Sequence, residues 1–240
     1  MTQAASLSQF RTGVAGAPPL AACAALAQSL RLGAGKIAPL PRGESALVHI
    51  VSGAAKLVAH AAAEREQVTA FNFSGDLVMV PGSGPHAYVL HTLIECELTV
   101  FPYKALRGAV ADDPAILARL LDNCDAALSR CREKALMIGR KTASERMAGF
   151  LVMMAARIGE PRGDTVLLDL PMSRRDIGDS LGLTIETISR QFSLLREARQ
   201  IATEGRSKVV LLDFSGLQER AGHLAELGPA FPSKFALDQC

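Results

Sequence analysis

Residues 172–190, Met-Ser-Arg-Arg-Asp-Ile-Gly-Asp-Ser-Leu-Gly-Leu-Thr-Ile-Glu-Thr-Ile-Ser-Arg, admit few folds. Ser173 is placed to cap a helix, with Asp176 three residues on as its acidic partner. Gly178 is small where two helices would cross, and Gly182 suits the left-handed backbone of a tight inter-helix turn. Thr184 then caps a second helix, whose expected inward face is Ile185, Ile188, Phe192 and Leu195. Glu186, Ser189 and Arg190, at i, i+3 and i+4, converge on another face near the start of that helix. The pattern is a helix-turn-helix whose second helix suits a DNA major groove. Arginine there can donate two hydrogen bonds to guanine, and glutamate can accept from the amino group of cytosine.

Composition limits how such a unit would be used. The chain has 240 residues, 49% hydrophobic and 21% charged, with a formal charge of only +2. That suits a folded protein of one or two domains and rules out a nonspecific polycation. Local basicity is modest. It concentrates at 129–146, which holds Arg130, Arg132, Lys134, Arg140, Lys141 and Arg146 against Glu133 and Glu145. Most of these charges read as solvating helix faces. No long uncharged apolar run and no signal-peptide pattern is present, so the expected location is cytoplasmic and no membrane partner is expected. Five cysteines in no tight framework read as reduced thiols.

Along the chain, residues 1–31 read as a flexible segment with a short helix at 21–31. From 32 to 113, short apolar runs alternate with turn signals such as Ser52-Gly53, Ser74-Gly75-Asp76 and 81–85. That spacing predicts an antiparallel roll. From 114 to 139 the sequence is helical. Leu117, Leu121, Cys124, Leu128, Cys131, Ala135 and Ile138 recur at alternating spacings of four and three, a heptad seam suited to a parallel dimer. The competing reading of that stripe is a helix packed on its own roll. Gly139, Arg140 and Lys141 read as a hinge, with Lys141 free for a DNA phosphate. Residues 140–214 read as a winged helix-turn-helix: a helix over 142–158, a turn at 161–164, a strand over 166–170, the two helices, and a hairpin wing over 201–212. Residues 215–240 read as an extension. The fold class is therefore α+β. An N-terminal antiparallel β-roll (double-stranded β-helix, jelly-roll-like) leads into a long dimerisation helix and a C-terminal winged helix-turn-helix.

The run Leu183-Thr184-Ile185-Glu186-Thr187-Ile188-Ser189-Arg190 closely resembles the DNA-binding segment of the Crp/Fnr family of bacterial transcription regulators, in particular its Fnr/FixK branch. Residues 50–53 and 73–77 resemble the family's sensor roll more weakly. The likeness covers most of residues 32–214. It implies a homodimeric regulator, usually an activator contacting RNA polymerase, on a palindromic operator of TTGA(C/T)-type half-sites. Glu186, Ser189 and Arg190 match the family's base-reading triplet. Ser173, Arg175, Thr184, Thr187, Arg206 and Lys208 are the expected phosphate contacts.

The same resemblance sharpens what the sensor half lacks. An iron–sulfur cluster needs four converging thiolates. The N-terminal region offers only Cys23, and Thr99 aligns where the family's roll ligand would be, near Cys96. The sequence therefore argues against a cluster. Cyclic AMP binding in the family uses a glutamate after the Gly-Asp turn and an Arg-Ser pair. Here Val80, His86 and Ala87 stand at those places, so an anionic phosphate loses its fixed cation. Haem through a lone histidine stays open without a supporting motif: His86 and His91 are five apart, hence on opposite faces of a strand. No metal site is evident. Cys124 and Cys131 lie seven apart in the seam, where a redox-dependent interchain disulfide is open beside ordinary packing as small apolar residues. A rival class, a metal-dependent β-roll enzyme, would need two or three histidines and a carboxylate together. No such cluster, Ser-His-Asp order, P-loop or nicotinamide fingerprint stands out.

Overall fold

A computed structural model describes residues 21–41, 43–60 and 66–222. Among the described residues, the roll is built from seven strands in two antiparallel sheets. One sheet, in the order β1-β7-β2-β5, comprises β1 (Gln28–Leu32), β7 (Cys96–Pro102), β2 (Ala46–Ser52) and β5 (Leu77–Val80). The other, in the order β4-β3-β6, comprises β4 (Glu66–Phe73), β3 (Ala54–His60) and β6 (Ala87–Thr92). Val48, Ile50, Val78, Val80, Leu90, Leu98 and Val100 form its apolar interior. The expected helix at 21–31 is corrected. A short 3-10 segment, Ala21–Leu26, gives way to β1, which pairs with β7 from Gln28↔Val100 to Leu32↔Cys96. Leu30 and Leu32 pack against the roll interior, so β1 both pairs the edge of β7 and adds apolar cover. The roll thus begins at Gln28, not residue 32. Residues 1–20 lie outside the described residues.

After α1 (Tyr103–Ala109) comes α2 (Pro114–Arg140), capped by the Asp113 carboxylate on two backbone N–H groups. It carries two parallel stripes one residue out of step. Ile116, Leu120, Asn123, Lys134 and Met137 lie on the inner stripe, buried or half-buried towards the chain's own body. The heptad stripe faces outward: Leu117, Leu121 (69% exposed), Cys124, Leu128, Cys131 and Ala135 are exposed, and Ile138 is half-buried. The competing reading, that these residues pack on their own roll, fails, because the inner stripe already occupies that contact.

An extended break at Lys141 and Thr142 separates α2 from α3 (Ala143–Ile158), which opens with a Thr142/Glu145 capping box. The winged unit follows. It comprises β8 (Glu160–Arg162), β9 (Thr165–Asp169), α4 (Arg174–Leu181), α5 (Ile185–Glu197), β10 (Ile201–Glu204), β11 (Lys208–Leu211) and α6 (Phe214–Arg220). Its sheet runs β10-β11-β9-β8, so residues 160–162 are a strand rather than part of a turn. The boundary expected at 214 is also corrected. Phe214, Leu217 and Ala221 are buried with Met147, Phe150 and Leu151 of α3, so α6 completes the core of the DNA-binding unit. Residues 223–240 lie outside the described residues.

α3 and α4 pack against the outer face of the β4-β3-β6 sheet. Phe71 of β4 meets Phe150 of α3 edge to face, with ring centroids 6.1 Å apart. Arg157 of α3 lies over the Phe73 ring, donates to the Phe71 carbonyl and pairs with Asp76. Sensor and reader therefore share one apolar core.

Candidate nucleic-acid interface

The two helices are set by local chemistry. Ser173 caps α4 through the Asp176 N–H, while the Asp176 carboxylate accepts from the Ser173 N–H at 2.9 Å and its hydroxyl at 2.6 Å. Gly182 ends α4 in the left-handed conformation, φ +65°. Gly178 is needed because a Cβ there would lie 2.6 Å from the Leu183 carbonyl oxygen. That neighbour is backbone on the inter-helix turn and cannot move aside. Gly178→Ala should lower stability by about 1–3 kcal/mol, read as a fall in the denaturation midpoint at unchanged slope. An unchanged midpoint would mean that the two helices can move apart at this crossing without cost.

Thr184 caps α5 by accepting from the Thr187 N–H at 3.2 Å. Ile188, Gln191, Phe192 and Leu195 form the buried stripe, at i, i+3, i+4 and i+7. Ile185 is a correction to the expected inward face. It is 41% exposed, because it precedes that stripe by a turn and Gln191 takes a buried place instead. Ile185 joins the outward face with Glu186, Ser189 and Arg190. Glu186 and Arg190 are exposed and Ser189 is half-buried. Backbone N–H donation at the helix start, with the Thr184 hydroxyl, holds the Glu186 carboxyl below the usual range. It is therefore an ionised acceptor at neutral pH.

Arg174, absent from the expected contacts, is the other addition. Its guanidinium lies 5.0 Å from the Phe192 ring centroid and donates to the Ser189 hydroxyl at 3.3 Å. It ties the start of α4 to the middle of the reading face. Ser173, Arg174, Arg206 and Lys208 line a shallow cleft between that helix start and the β10–β11 turn. Arg175, on the same first turn of α4, is exposed. Four of the expected or added polar groups thus gather in one place, although residues 173 and 206 are 33 apart in sequence.

The basic run at 129–146 is spent differently from the expectation. Lys141 donates to the Ala221 carbonyl at 2.6 Å, which removes it as a free phosphate contact. Arg146 donates to the carbonyls of Ile138, Lys141 and Leu181, bracing the break after α2 against the end of α4. Lys134 donates to the carbonyls of Val68 and Thr69 and to the Ser180 hydroxyl. Burial lowers its ammonium to about 8.

The expected cysteine and histidine positions fall apart in space. Cys23 lies in the apolar cluster with Leu47 and Leu106. Cys96 is in the roll interior, its thiol donating to the Ala54 carbonyl and pushed up by burial. His86 is exposed, His91 is half-buried, and burial lowers His49 and His91. Among the described residues no group of three or more His, Cys, Asp or Glu could hold a metal ion. No described helix is long and apolar enough to cross a membrane.

Residues 145–220 match the Crp-like helix-turn-helix domain. The chain is 34% identical over 178 residues to the transcriptional activator protein FnrL of Cereibacter sphaeroides, covering 72% of this chain and 71% of FnrL. It is 34% identical over 170 residues to the nitrogen fixation regulation protein FixK of Azorhizobium caulinodans, covering 70% and 68%. The chain belongs to the Crp/Fnr family, on its Fnr/FixK branch. The solved structure of FixK2 from Bradyrhizobium japonicum superposes with a TM-score of 0.68 at 30% identity, over 80% of this chain and 96% of that one. A CooA mutant from Carboxydothermus hydrogenoformans superposes with a TM-score of 0.72 at 17% identity, over 83% and 90%, and so shares the fold. Crp/Fnr membership makes this protein a DNA-binding transcription regulator of α+β architecture and not an enzyme.

Proposed function

We propose that the protein is a homodimeric transcription activator that reads a palindrome of TTGA(C/T)-type half-sites. The observation that carries this reading is the pair of outward faces, the heptad seam of α2 and the Ile185/Glu186/Ser189/Arg190 face of α5. Among the described residues, neither face is packed over by the chain's own core. Two copies joined along the seam would offer two α5 helices to successive major grooves, so the operator would share their two-fold symmetry. Arg190 would take guanine, Glu186 the cytosine amino group, and Ile185 a thymine methyl group. Ser173, Arg174, Arg175, Thr184, Thr187, Arg206 and Lys208 would hold flanking phosphates and set the register. RNA polymerase is the expected protein partner and the cytoplasm the expected place. A gel shift at fixed salt tests the reading. A TTGA-type palindrome should be bound at least about a thousandfold tighter than a scrambled duplex, and equal binding would end the proposal.

The family's cofactors are not needed for this reading. Among the described residues, Cys23 and Cys96 are buried in different clusters and Cys124 and Cys131 are exposed on α2, which supports a protein without an iron–sulfur cluster. The roll interior filled by Val48, Ile50, Val78, Leu90 and Leu98 supports one without cyclic AMP. Haem on a lone histidine has no such support.

A redox-responsive variant of the same function has one observation behind it. Cys124 and Cys131 are free thiols exposed on the outer stripe of α2, the stripe proposed to meet its symmetry mate. Mild oxidation should give a dimer band on non-reducing electrophoresis that Cys124→Ser or Cys131→Ser removes. A band surviving both changes would place the bridge at another cysteine.

A further inference from the structure

We propose that Lys134 and Lys56 are positioning residues for DNA recognition: they hold the first helix of the reader on the outer face of the sensor sheet in the DNA-competent orientation. The inference rests on the DNA-binding reading above. Three working parts of the molecule meet at one ammonium group. Lys134 comes from α2, its two carbonyl partners from β4 of the roll, and its hydroxyl partner, Ser180, from α4. The distances are 2.5 Å to Val68, 3.0 Å to Thr69 and 2.9 Å to Ser180.

The carbonyl pair depends on an irregularity in the strand. Successive carbonyls of a regular strand point to opposite sides, so one cation cannot take both. Between β3 and β4 the register shifts, with Leu57 opposite Ala70 and Val58 opposite Val68, leaving Thr69 as the extra residue. This bulge brings the Val68 and Thr69 carbonyls to the same ammonium. The Thr69 hydroxyl donates back to the Leu57 carbonyl at 2.9 Å and fixes the bulge. Ser180 is itself buried.

A second tie lies beside the first. Lys56 of β3 pairs with Asp176 of α4 at 2.5 Å, both side chains largely buried. Burial pushes the Asp176 carboxyl up, but Lys56 and Ser173 outweigh it and hold the group below the usual range. Asp176 is also the capping-box acid of α4. The sensor sheet therefore grips the helix by the residue that starts it. Gln67 of β4 adds a hydrogen bond to the Asp179 carbonyl at 2.7 Å.

The direction of the effect follows from what the docked arrangement leaves free. Ser173, Arg174, Arg175, Glu186, Arg190, Arg206 and Lys208 are all exposed while these ties are made. The docked face of α4 and the DNA-facing side are thus separate. Releasing the ties leaves α3 held on the sheet by Phe71, Phe150 and Arg157, but frees α4, which starts the reading unit, from the sheet. Reading helices that are held less firmly match a palindrome less often, which weakens specific binding but leaves phosphate attraction intact.

The test uses the full-length protein with Lys56→Met, Lys134→Met and Ser180→Ala variants, and Lys56→Arg as the conservative control. Fluorescence anisotropy compares a labelled TTGA-type palindrome with a scrambled duplex. Trypsin cleavage after Arg140 and Lys141, followed by mass spectrometry, reads the freedom of the hinge. Lys56→Met and Lys134→Met should lose about 3–30-fold in specific affinity, keep their affinity for scrambled DNA, and be cut faster at the hinge. Lys56→Arg should stay near wild type. If Lys134→Met does not fold, Lys56→Met and Ser180→Ala give the same readouts. Unchanged or tighter specific binding with unchanged cleavage overturns the proposal. If wild type itself does not discriminate the two duplexes, the DNA reading fails. The cleavage rates then judge the ties on their own, faster cutting upholding them and equal cutting rejecting them.

Discussion

A protein carrying both Leu121→Glu and Leu128→Glu should sediment as a folded monomer. Both leucines are exposed in the single chain, so charging them leaves the chain's own core untouched. In the proposed dimer the four leucines of two copies, each already partly covered in its own chain, account for roughly 3–7 kcal/mol of apolar burial. That is a large share of the whole free energy of a micromolar complex, about 8 kcal/mol. The glutamates also place like charges across the seam. DNA binding should fall with the dimer. Separate readers lose the effective concentration that a linked pair gives, a loss of at least about a hundredfold on a palindrome. Unchanged circular dichroism together with monomeric sedimentation is the expected result. A doubly charged protein that still sediments as a dimer would place the subunit contact elsewhere on the surface.

Arg190→Ala should produce the largest loss of specificity for a single change. Arg190 is exposed on the same face as Glu186 and Ser189, in the first half of α5, and α5 is fixed at its start by the Thr184 cap. Losing a bidentate contact to guanine costs about 1–3 kcal/mol. A dimer makes the contact twice, so the total is about 2–6 kcal/mol. Operators substituted at each half-site base should be titrated against wild type and variant at one salt concentration. Discrimination should relax at one base pair per half-site and persist at the others. Full retention of wild-type preference at every position would show that another face of α5 enters the groove. Arg174→Ala offers a contrast. It removes the donor to Ser189 and one cation from the cleft, so a phosphate role would weaken all sequences together.

The reader was legible because its determinants are local. Ser173, Asp176, Gly182 and Thr184 act within a few residues of themselves, through caps and one left-handed turn, and each stands in the structure where the sequence put it. Gly178 was legible for the same reason, since the Leu183 carbonyl it must admit is five residues away. Ile185 was not. Three-residue spacing puts it within reach of the buried stripe, and only the position of α4 decides that the stripe begins at Ile188. Likewise, the competition of β1 for the edge of β7 replaces the expected end of a helix with a strand. The burial of α6 on α3 turns an apparent tail into part of the core. Both are decided by surfaces distant in sequence.

Charge shows the same division. In sequence the run from Arg130 to Arg146 is a basic segment before a DNA-binding unit. In the fold Lys134, Lys141 and Arg146 point at backbone carbonyls from β4, α2, α4 and the residue after α6. A linear sequence gives a cation's charge but not the carbonyl it will meet. The amino-acid sequence alone determined the reading helix, its caps, the heptad stripe and the alternation of short strands, because each is a repeat or a contact within a few residues. The tertiary structure alone decided that the heptad stripe faces outward, that Arg174 joins the reading face, and that the sensor sheet holds α4 through Lys56 and Lys134. Those depend on which surfaces are already occupied when distant segments pack together.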